Sequence, residues 1–405
     1  MILSLINRCK VPTDAAATLA RDGSALVIPR TRNVALTYLA VAGLLLAVTV
    51  VLPALGVWQR RALPVVHETI REVRVIEVAP GGSVTTPSGV IRQEHVVVEA
   101  DGQQIGIDRT FQDGGGDAFI VKPGETVLLA ATEGERGIVY QLKDRSRRFP
   151  VWKLTAAFAL LVVAVGGWRG ALSLVGLASS VLVISRFVVP AIMSGWDPLI
   201  VCIVGGLVIM TATLTLGHGV ERKTAVALGA TAGCLALTGL LAVWSVEFAR
   251  LTGLATDDAG TLQILVGTGV INPRGLLLGS MILGAVGVLD DVTTTQASAV
   301  AELREANPAL TSTELFRRGM NVGRDHIAAT TNALLLAYAG TALPLILILA
   351  AQQQPAGVLV SFDALATEVV RTVVGSIGIV AAVPLTTALA AFSSNWGGVR
   401  HTSGR

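Results

Sequence analysis

The run VALTYLAVAGLLLAVTVVLPALGV, residues 34–57, is the first of the apolar stretches that decide the fold class of this 405-residue chain. It is longer than the roughly 20 residues that a helix needs to cross the hydrocarbon core of a bilayer. Arg60 and Arg61 end it, and a polar tail over residues 1–33 precedes it. A cleaved signal peptide, processed at Ala54-Leu55-Gly56, is the alternative, but signal peptides have apolar cores of only about 7–15 residues. We therefore predict an uncleaved membrane anchor.

Composition places the whole chain among membrane proteins. Apolar residues make up 52% of it, charged residues only 15%, and the mean hydropathy is +0.66. The net charge of +3 comes from scattered basic residues, which argues against a nucleic-acid partner. Cys9, Cys202 and Cys234 form neither a CxxC motif nor a zinc-binding spacing. The cysteines therefore indicate no zinc site, and any other metal or cofactor stays unknown from the sequence.

After the first span the chain changes character. Short alternating or β-branched segments are separated by turn clusters such as Pro80-Gly81-Gly82 and Gly114-Gly115-Gly116. This pattern predicts a small all-β, barrel-like domain over residues 58–150. The predicted strands are Glu72–Val78, His95–Ala100, Glu125–Ala130 and Gly137–Leu142.

Apolar stretches dominate residues 151–394 and predict a membrane domain of seven helices, about eight spans in all. Residues 395–405 then form a C-terminal tail. The seven predicted spans are Leu154–Trp168, Ala171–Pro190, Leu199–Leu216, Thr224–Phe248, Val270–Leu289, Ile327–Ala350 and Ala364–Phe392.

The basic residues of the connections predict the orientation, because Lys and Arg concentrate on the cytoplasmic side of membrane proteins. With the N-terminus inside, the outer connections between spans offer only Arg186 and Arg250. We expect a bacterial inner-membrane protein with both termini in the cytoplasm and the β domain outside. The residues assigned to the cytoplasm are Arg8, Lys10, Arg21, Arg30, Arg32, Arg169, Arg222, Lys223, Arg304, Arg317, Arg318, Arg324, Arg400 and Arg405.

The most informative polar run, LDDVTTTQAS, begins at Leu289, where the sixth span reaches the cytoplasm. Asp290 and Asp291 are each followed one helical turn later by a hydroxyl, Thr294 and Thr295, and Gln296 follows. Adjacent helical residues point about 100° apart, so one aspartate is expected to face the bundle and the other water. An ordinary helix end at the headgroup level is the structural alternative.

A second polar run, GRDH at residues 323–326 followed by ATTN at residues 329–332, enters the seventh span. Asp325 and Asn332 share a helical face, and His326 and Thr331 lie beside them. If spans six and seven are neighbours, Asp290 or Asp291 is expected to meet these groups in one cavity that holds a cation, relays protons or binds a polar head group. A helix N-cap at Asp325 is the alternative. Residues 299–322 between the runs predict an amphipathic cytoplasmic hairpin broken at Asn307-Pro308.

These two runs, in this order and spacing, resemble those of the YibE/F family of bacterial membrane proteins. The resemblance extends from the first span through the β domain to the last helix. It implies a multi-pass membrane protein with a β domain after the first helix, and it implies no particular reaction or substrate.

Three functional classes stay open on the sequence alone. A permease for a small solute or ion is favoured, with its site among Asp290, Asp291, Thr294, Thr295, Gln296, Asp325, His326, Thr331 and Asn332. A membrane scaffold that recruits a protein partner through residues 58–150 is the alternative. A membrane-embedded, metal-dependent enzyme is the least favoured class. Beyond the lipid bilayer, the partners and the oligomeric state are open.

Overall fold

The computed structural model describes residues 40–57, 68–86, 89–100, 102–113, 120–134, 137–219, 221–267 and 270–393. The predicted tails at residues 1–33 and 395–405 lie outside these ranges. Helix α1, Ala40–Ala54, is the described part of the predicted first span. Its Val48 is buried against the core of the membrane domain.

Five antiparallel strands follow α1 in a single sheet of order β3-β2-β1-β4-β5. The edge strands β3 and β5 approach each other, so the sheet curls into a half-barrel. Its core alternates along the strands, as in Val73 and Val75 on β1 and Val96 and Val98 on β2. The strands are β1 Glu68–Thr86, β2 Gly89–Ala100, β3 Gln103–Asp113, β4 Thr126–Gly134 and β5 Gly137–Arg145.

The rest of the described chain is helical. Its helices are α2 Arg148–Met193, α3 Pro198–His218, α4 Arg222–Phe248, α5 Asp257–Val266, α6 Pro273–Ala306, α7 Ser312–Thr341, α8 Leu343–Ala351, α9 Ala356–Leu359 and α10 Asp363–Phe392. By length and composition, α2, α3, α4, α6 and α10 are each able to cross a membrane. Helices α7 and α8, bent by 60° at their junction, form a sixth candidate span.

Helix α2 takes the place of two predicted spans, and its geometry explains why. Its 46 residues are about twice what one crossing needs. At Gly167 the backbone leaves the helical region, with φ 56° and ψ −139°, a conformation that glycine adopts without steric cost. A Cβ added at Gly170 would overlap the carbonyl oxygen of Val162, although eight residues of unbroken helix span about 12 Å. The chain therefore turns back sharply at Gly167.

Helix α6 lies at the centre of the helical domain, packed against α3, α4, α7 and α10. Close approach is possible because glycines stand at the contacts. A Cβ at Gly279 of α6, for example, would lie 2.9 Å from both the carbonyl oxygen of Pro198 and Sγ of Cys202 on α3. Helix packing in lipid depends on such small residues. Because α6 is surrounded by these helices, the direction in which each of its side chains points decides which neighbouring helix that side chain contacts.

The hairpin predicted between spans six and seven is present, because α6 ends at Ala306 and α7 begins at Ser312. Helix α6 continues past the predicted span end at Leu289, and α7 begins before the predicted span start at Ile327 and ends at Thr341, inside that span. Thr311 caps α7 with a capping box, in which its hydroxyl accepts from the Glu314 backbone N–H at 3.3 Å. Asp325 therefore lies in the middle of a helix, and the alternative that it is an N-cap is wrong.

Candidate functional site

The polar residues of α6 point to different neighbours, because successive residues of a helix are rotated by about 100°. Asp290 points towards α3 and is half-buried. Its Oδ2 accepts a hydrogen bond from the Thr213 hydroxyl at 3.3 Å. Asp291 points the other way, towards α7, with its side chain 70% exposed. The expectation that only one of the two aspartates faces the bundle agrees with these positions.

Asp290 lines a cleft of about 440 Å³ between α2, α3 and α6. The polar side chains in its wall are Ser173, Ser180, Thr213 and Asp290. Leu177, Ile184, Ile209, Met210, Leu283 and Val286 supply the apolar part, and Gly176, Gly217 and Gly287 the remainder. A few polar side chains, one of them a carboxylate, thus lie in a concave surface that is otherwise apolar, which is how small-molecule sites are built.

The two serine hydroxyls on the α2 side of the cleft donate their hydrogen bonds to the backbone of α2. Ser173 donates to the carbonyl oxygen of Gly170 at 2.9 Å, and Ser180 to that of Gly176 at 3.0 Å. Their oxygen lone pairs remain as acceptors, since a hydroxyl has one proton and two acceptor sites. With the Asp290 carboxylate, the cleft offers acceptors for a ligand that donates hydrogen bonds or bears positive charge.

The charge of Asp290 has no cationic counterpart in the described part of the chain. There, no Lys, Arg or His nitrogen lies within 4.0 Å of its carboxylate, and no basic residue lines the cleft. Its single polar contact there is the Thr213 hydroxyl. A carboxylate in that position is neutralised by a proton or by a bound cation.

Asp291 and His326 form a separate, looser group where α6 meets α7. His326 Nε2 lies 3.9 Å from Asp291 Oδ2. This nitrogen is buried and makes no hydrogen bond among the described atoms. The Thr295 hydroxyl contacts Asp291 Oδ1 at 3.5 Å, the long limit for a hydrogen bond. The pair is near the bundle surface rather than in the cleft.

Gln296 joins three helices and is 2% exposed. Its Nε2 donates to the carbonyl oxygen of Gly319 on α7 at 2.9 Å and to Thr387 Oγ1 on α10 at 2.7 Å. Both amide hydrogens are therefore used within the protein. This arrangement is that of a packing contact stabilised by buried hydrogen bonds, which leaves no donor for a ligand.

The structure does not bring the predicted residues into one cavity. Asp325 and Asn332 are exposed on α7. The hydroxyls of Thr294 and Thr331 are buried and lack a partner among the described residues. The divergence of Asp290 from Asp291 accounts for the separation, because the cleft lies against α2 and α3 while the second polar run belongs to α7. Within the described ranges, no group of three or more His, Cys, Asp or Glu side chains could hold a metal ion.

The sequence does not indicate three polar residues of the cleft, which are Ser173, Ser180 and Thr213. Serine and threonine are common in membrane helices, where they bond to the preceding turn, so they give no signal alone. They become candidates because they line the same cleft as Asp290, between α2, α3 and α6. Only the three-dimensional packing order of the helices reveals this arrangement.

Comparison with known proteins gives one match. The model of the family described as YibE/F-like protein matches residues 154–395, which is more than half of the chain and includes the cleft. The match begins after α1 and the half-barrel, so the wider resemblance expected for those parts stays a prediction. No curated protein and no solved structure matches the chain.

Proposed function

The chain belongs to the YibE/F-like family, and we propose that it is a permease of the bacterial inner membrane whose solute site is the cleft around Asp290. One observation carries this proposal: a carboxylate without a cationic partner among the described residues lines a cleft between three apolar helices. An aspartate at the bilayer centre costs about 2.5–3.5 kcal/mol on insertion scales, and less near an interface. A role in binding a solute explains why the chain carries a carboxylate at this cost, since packing between the helices does not require a charge there.

The proposal includes eight spans, with both termini in the cytoplasm. Its support is the sharp turn at Gly167, which makes two crossings of α2, together with α1 and the bent pair α7–α8. Arg169, Arg222 and Lys223 then fall on the same side as the Ala306–Ser312 turn. This is the distribution that the positive-inside rule predicts.

Labelling of single cysteines tests this topology. In a background with Cys9, Cys202 and Cys234 replaced by serine or alanine, we expect Arg169→Cys to react with a membrane-impermeant maleimide only after the cells are permeabilised. The control Glu99→Cys, exposed on β2, is expected to react in intact cells. Arg169→Cys would stay unreactive in both conditions if α2 crossed the membrane once, because the residue would then lie within the bilayer.

Complementation tests the site itself. In a strain that lacks the protein, we expect the wild-type gene to restore the cellular ion and metabolite profile and Asp290→Asn to fail, because the amide cannot carry the negative charge. Asp291→Asn is the matched control, since the adjacent carboxylate lies outside the cleft lining. Both variants need membrane levels equal to wild type on an immunoblot. Full rescue by Asp290→Asn would refute the proposed site.

A second candidate role, partner binding through the half-barrel, rests on strand β5. This strand is a sheet edge and exposes Ile138 and Val139, which are 55% and 51% accessible. An exposed apolar edge is suited to pairing with a strand of another protein. Crosslinking in whole cells from a photoreactive residue at position 139 distinguishes this role, because a pure permease gives no specific adduct there.

A further inference from the structure

We propose that the solute bound at Asp290 is a small organic monocation: a primary ammonium group attached to an apolar body. This inference rests on the permease proposal and names the class of its substrate. It follows from the charge of the cleft, the kind of acceptors it offers, and the nature and size of its walls.

The charge of the site is a single negative one. Among the described residues, Asp290 is the only acidic one in the lining, and Asp291 points away to His326. A ligand with one positive charge neutralises the cleft, whereas a dication leaves an excess charge in a low-dielectric setting. Anionic and zwitterionic solutes lack a basic partner in this lining.

The acceptor set suits an ammonium better than a metal ion. Divalent Ca²⁺ takes about 6–8 oxygen ligands, commonly from several carboxylates, and Mg²⁺ demands octahedral geometry. The cleft has one carboxylate, and its other side-chain oxygens are the neutral hydroxyls of Ser173, Ser180 and Thr213. An ammonium group has three N–H donors and no acceptor. The Ser173 and Ser180 oxygens, whose protons bond the α2 backbone, offer lone pairs on the wall of the same cleft. Because these two serines are about two helical turns apart, they are alternative acceptors for the ammonium rather than one set.

The walls indicate an apolar body behind the charged group. Apart from the polar members, the lining consists of glycines and of aliphatic side chains such as Leu283 and Val286, with Met210 among them. Methionine adapts its shape to irregular apolar ligands. A cleft of about 440 Å³ is also far larger than a bare ion and lies at the lower end of the range for small-molecule sites.

Binding to the purified full-length protein in nanodiscs tests this inference. The probes are ethyl-, butyl-, hexyl- and phenethylammonium, with 1-butanol, butyrate, NaCl and MnCl₂ as comparisons, and the readout is the concentration-dependent shift of the thermal unfolding midpoint. We expect saturable stabilisation by at least one ammonium probe and none by the neutral or anionic isosteres. Asp290→Asn should weaken that binding by about tenfold or more, because a charge-assisted hydrogen bond is lost. Asp291→Asn should retain it.

A second variant keeps the test independent of the charge at position 290. Leu177→Trp adds bulk to the α2 wall at a side chain that is 52% exposed, so it is compatible with folding. We expect it to weaken hexyl- and phenethylammonium binding more than ethylammonium binding. Equal binding of butanol and butylammonium, binding of Mn²⁺ or Na⁺ that depends on Asp290, or no response to any ammonium probe would each overturn the inference.

Flux measurements separate this inference from the permease proposal. The ammonium probe that binds is followed across proteoliposome membranes that contain wild-type protein or Asp290→Asn. Binding that depends on Asp290 without any flux supports the ligand class and contradicts the permease. Flux of the probe with unchanged binding in Asp290→Asn contradicts the ligand site and leaves the permease standing.

Discussion

Replacing Gly323 with alanine is expected to destabilise the membrane domain by about 1–3 kcal/mol, the usual cost of overpacking a filled core. A Cβ at this position would overlap Cγ1 of Val383 and lie 3.0 Å from Oε1 of Gln296. Neither neighbour has room to move. Val383 is fully buried on α10, and Gln296 is held by its hydrogen bonds to Gly319 and Thr387. Helix α7 can accept the methyl group only by moving away from α6 and α10.

Gly340, seventeen positions further along α7, supplies the matched control, because nothing lies within 4 Å of a Cβ placed there. Alanine is a better helix former than glycine, so Gly340→Ala is expected to be neutral or slightly stabilising. Thermal unfolding of both detergent-purified variants, followed by intrinsic fluorescence, gives the comparison. Equal unfolding midpoints for Gly323→Ala and wild type would show that α7 is not closely packed at this junction.

The predicted spans were close to the observed helices wherever an apolar run coincides with the whole helix. Leu199–Leu216, Thr224–Phe248 and Ala364–Phe392 differ from α3, α4 and α10 by a few residues at most. Hydropathy failed where a helix continues beyond the apolar run. Helix α6 extends to Ala306, well past the predicted span end at Leu289. The prediction stopped early because the polar residues after Leu289 carry no apolar pattern.

Four of the five strands were predicted, and the reason for missing β3 is physical. Residues 103–113 read QQIGIDRTFQD, and this largely polar run is not among the predicted strands. Yet Ile107 is buried and Ile105 packs against the same core, so a pair of alternating side chains suffices for this strand. The ladder with β2, from Val90↔Asp113 to Ala100↔Gln103, supplies the remaining stabilisation. Backbone pairing of this kind has no signature in hydropathy.

The candidate site was predicted in part only. The divergence of Asp290 from Asp291 follows from the helical repeat and needs no structure. Which helix faces Asp290 does not follow, because sequence neighbours in a bundle need not be the partners of every face. The sequence suggested that Asp290 or Asp291 meets α7, whereas α6 is central and turns Asp290 towards Thr213 on α3 and Asp291 towards His326 on α7. A functional role for any of the nine predicted site residues stays a prediction.

Replacing Val98 with aspartate is expected to unfold the half-barrel. Val98 is fully buried on β2, where it pairs with Val75 of β1 and Ile105 of β3. An unpaired charge in an apolar core costs several kcal/mol, and small domains are stable by only about 5–15 kcal/mol. Limited trypsin digestion of the purified protein measures the effect, because the strands contain many Lys and Arg residues that are protected while folded. Val84→Asp, on β1 with a 63% exposed side chain, is the control and should remain resistant.

The same variant separates the two parts of the molecule. In the described part of the chain, the residues that line the cleft belong to α2, α3 and α6, so ammonium binding that depends on Asp290 should persist in Val98→Asp even when its sheet is digested rapidly. A variant that fails in cells yet keeps this binding in nanodiscs would assign the half-barrel a separate role, such as partner recruitment. Loss of binding together with the sheet would instead mean that the half-barrel completes the proposed solute site, and the assignment of that site to the membrane helices alone would be wrong.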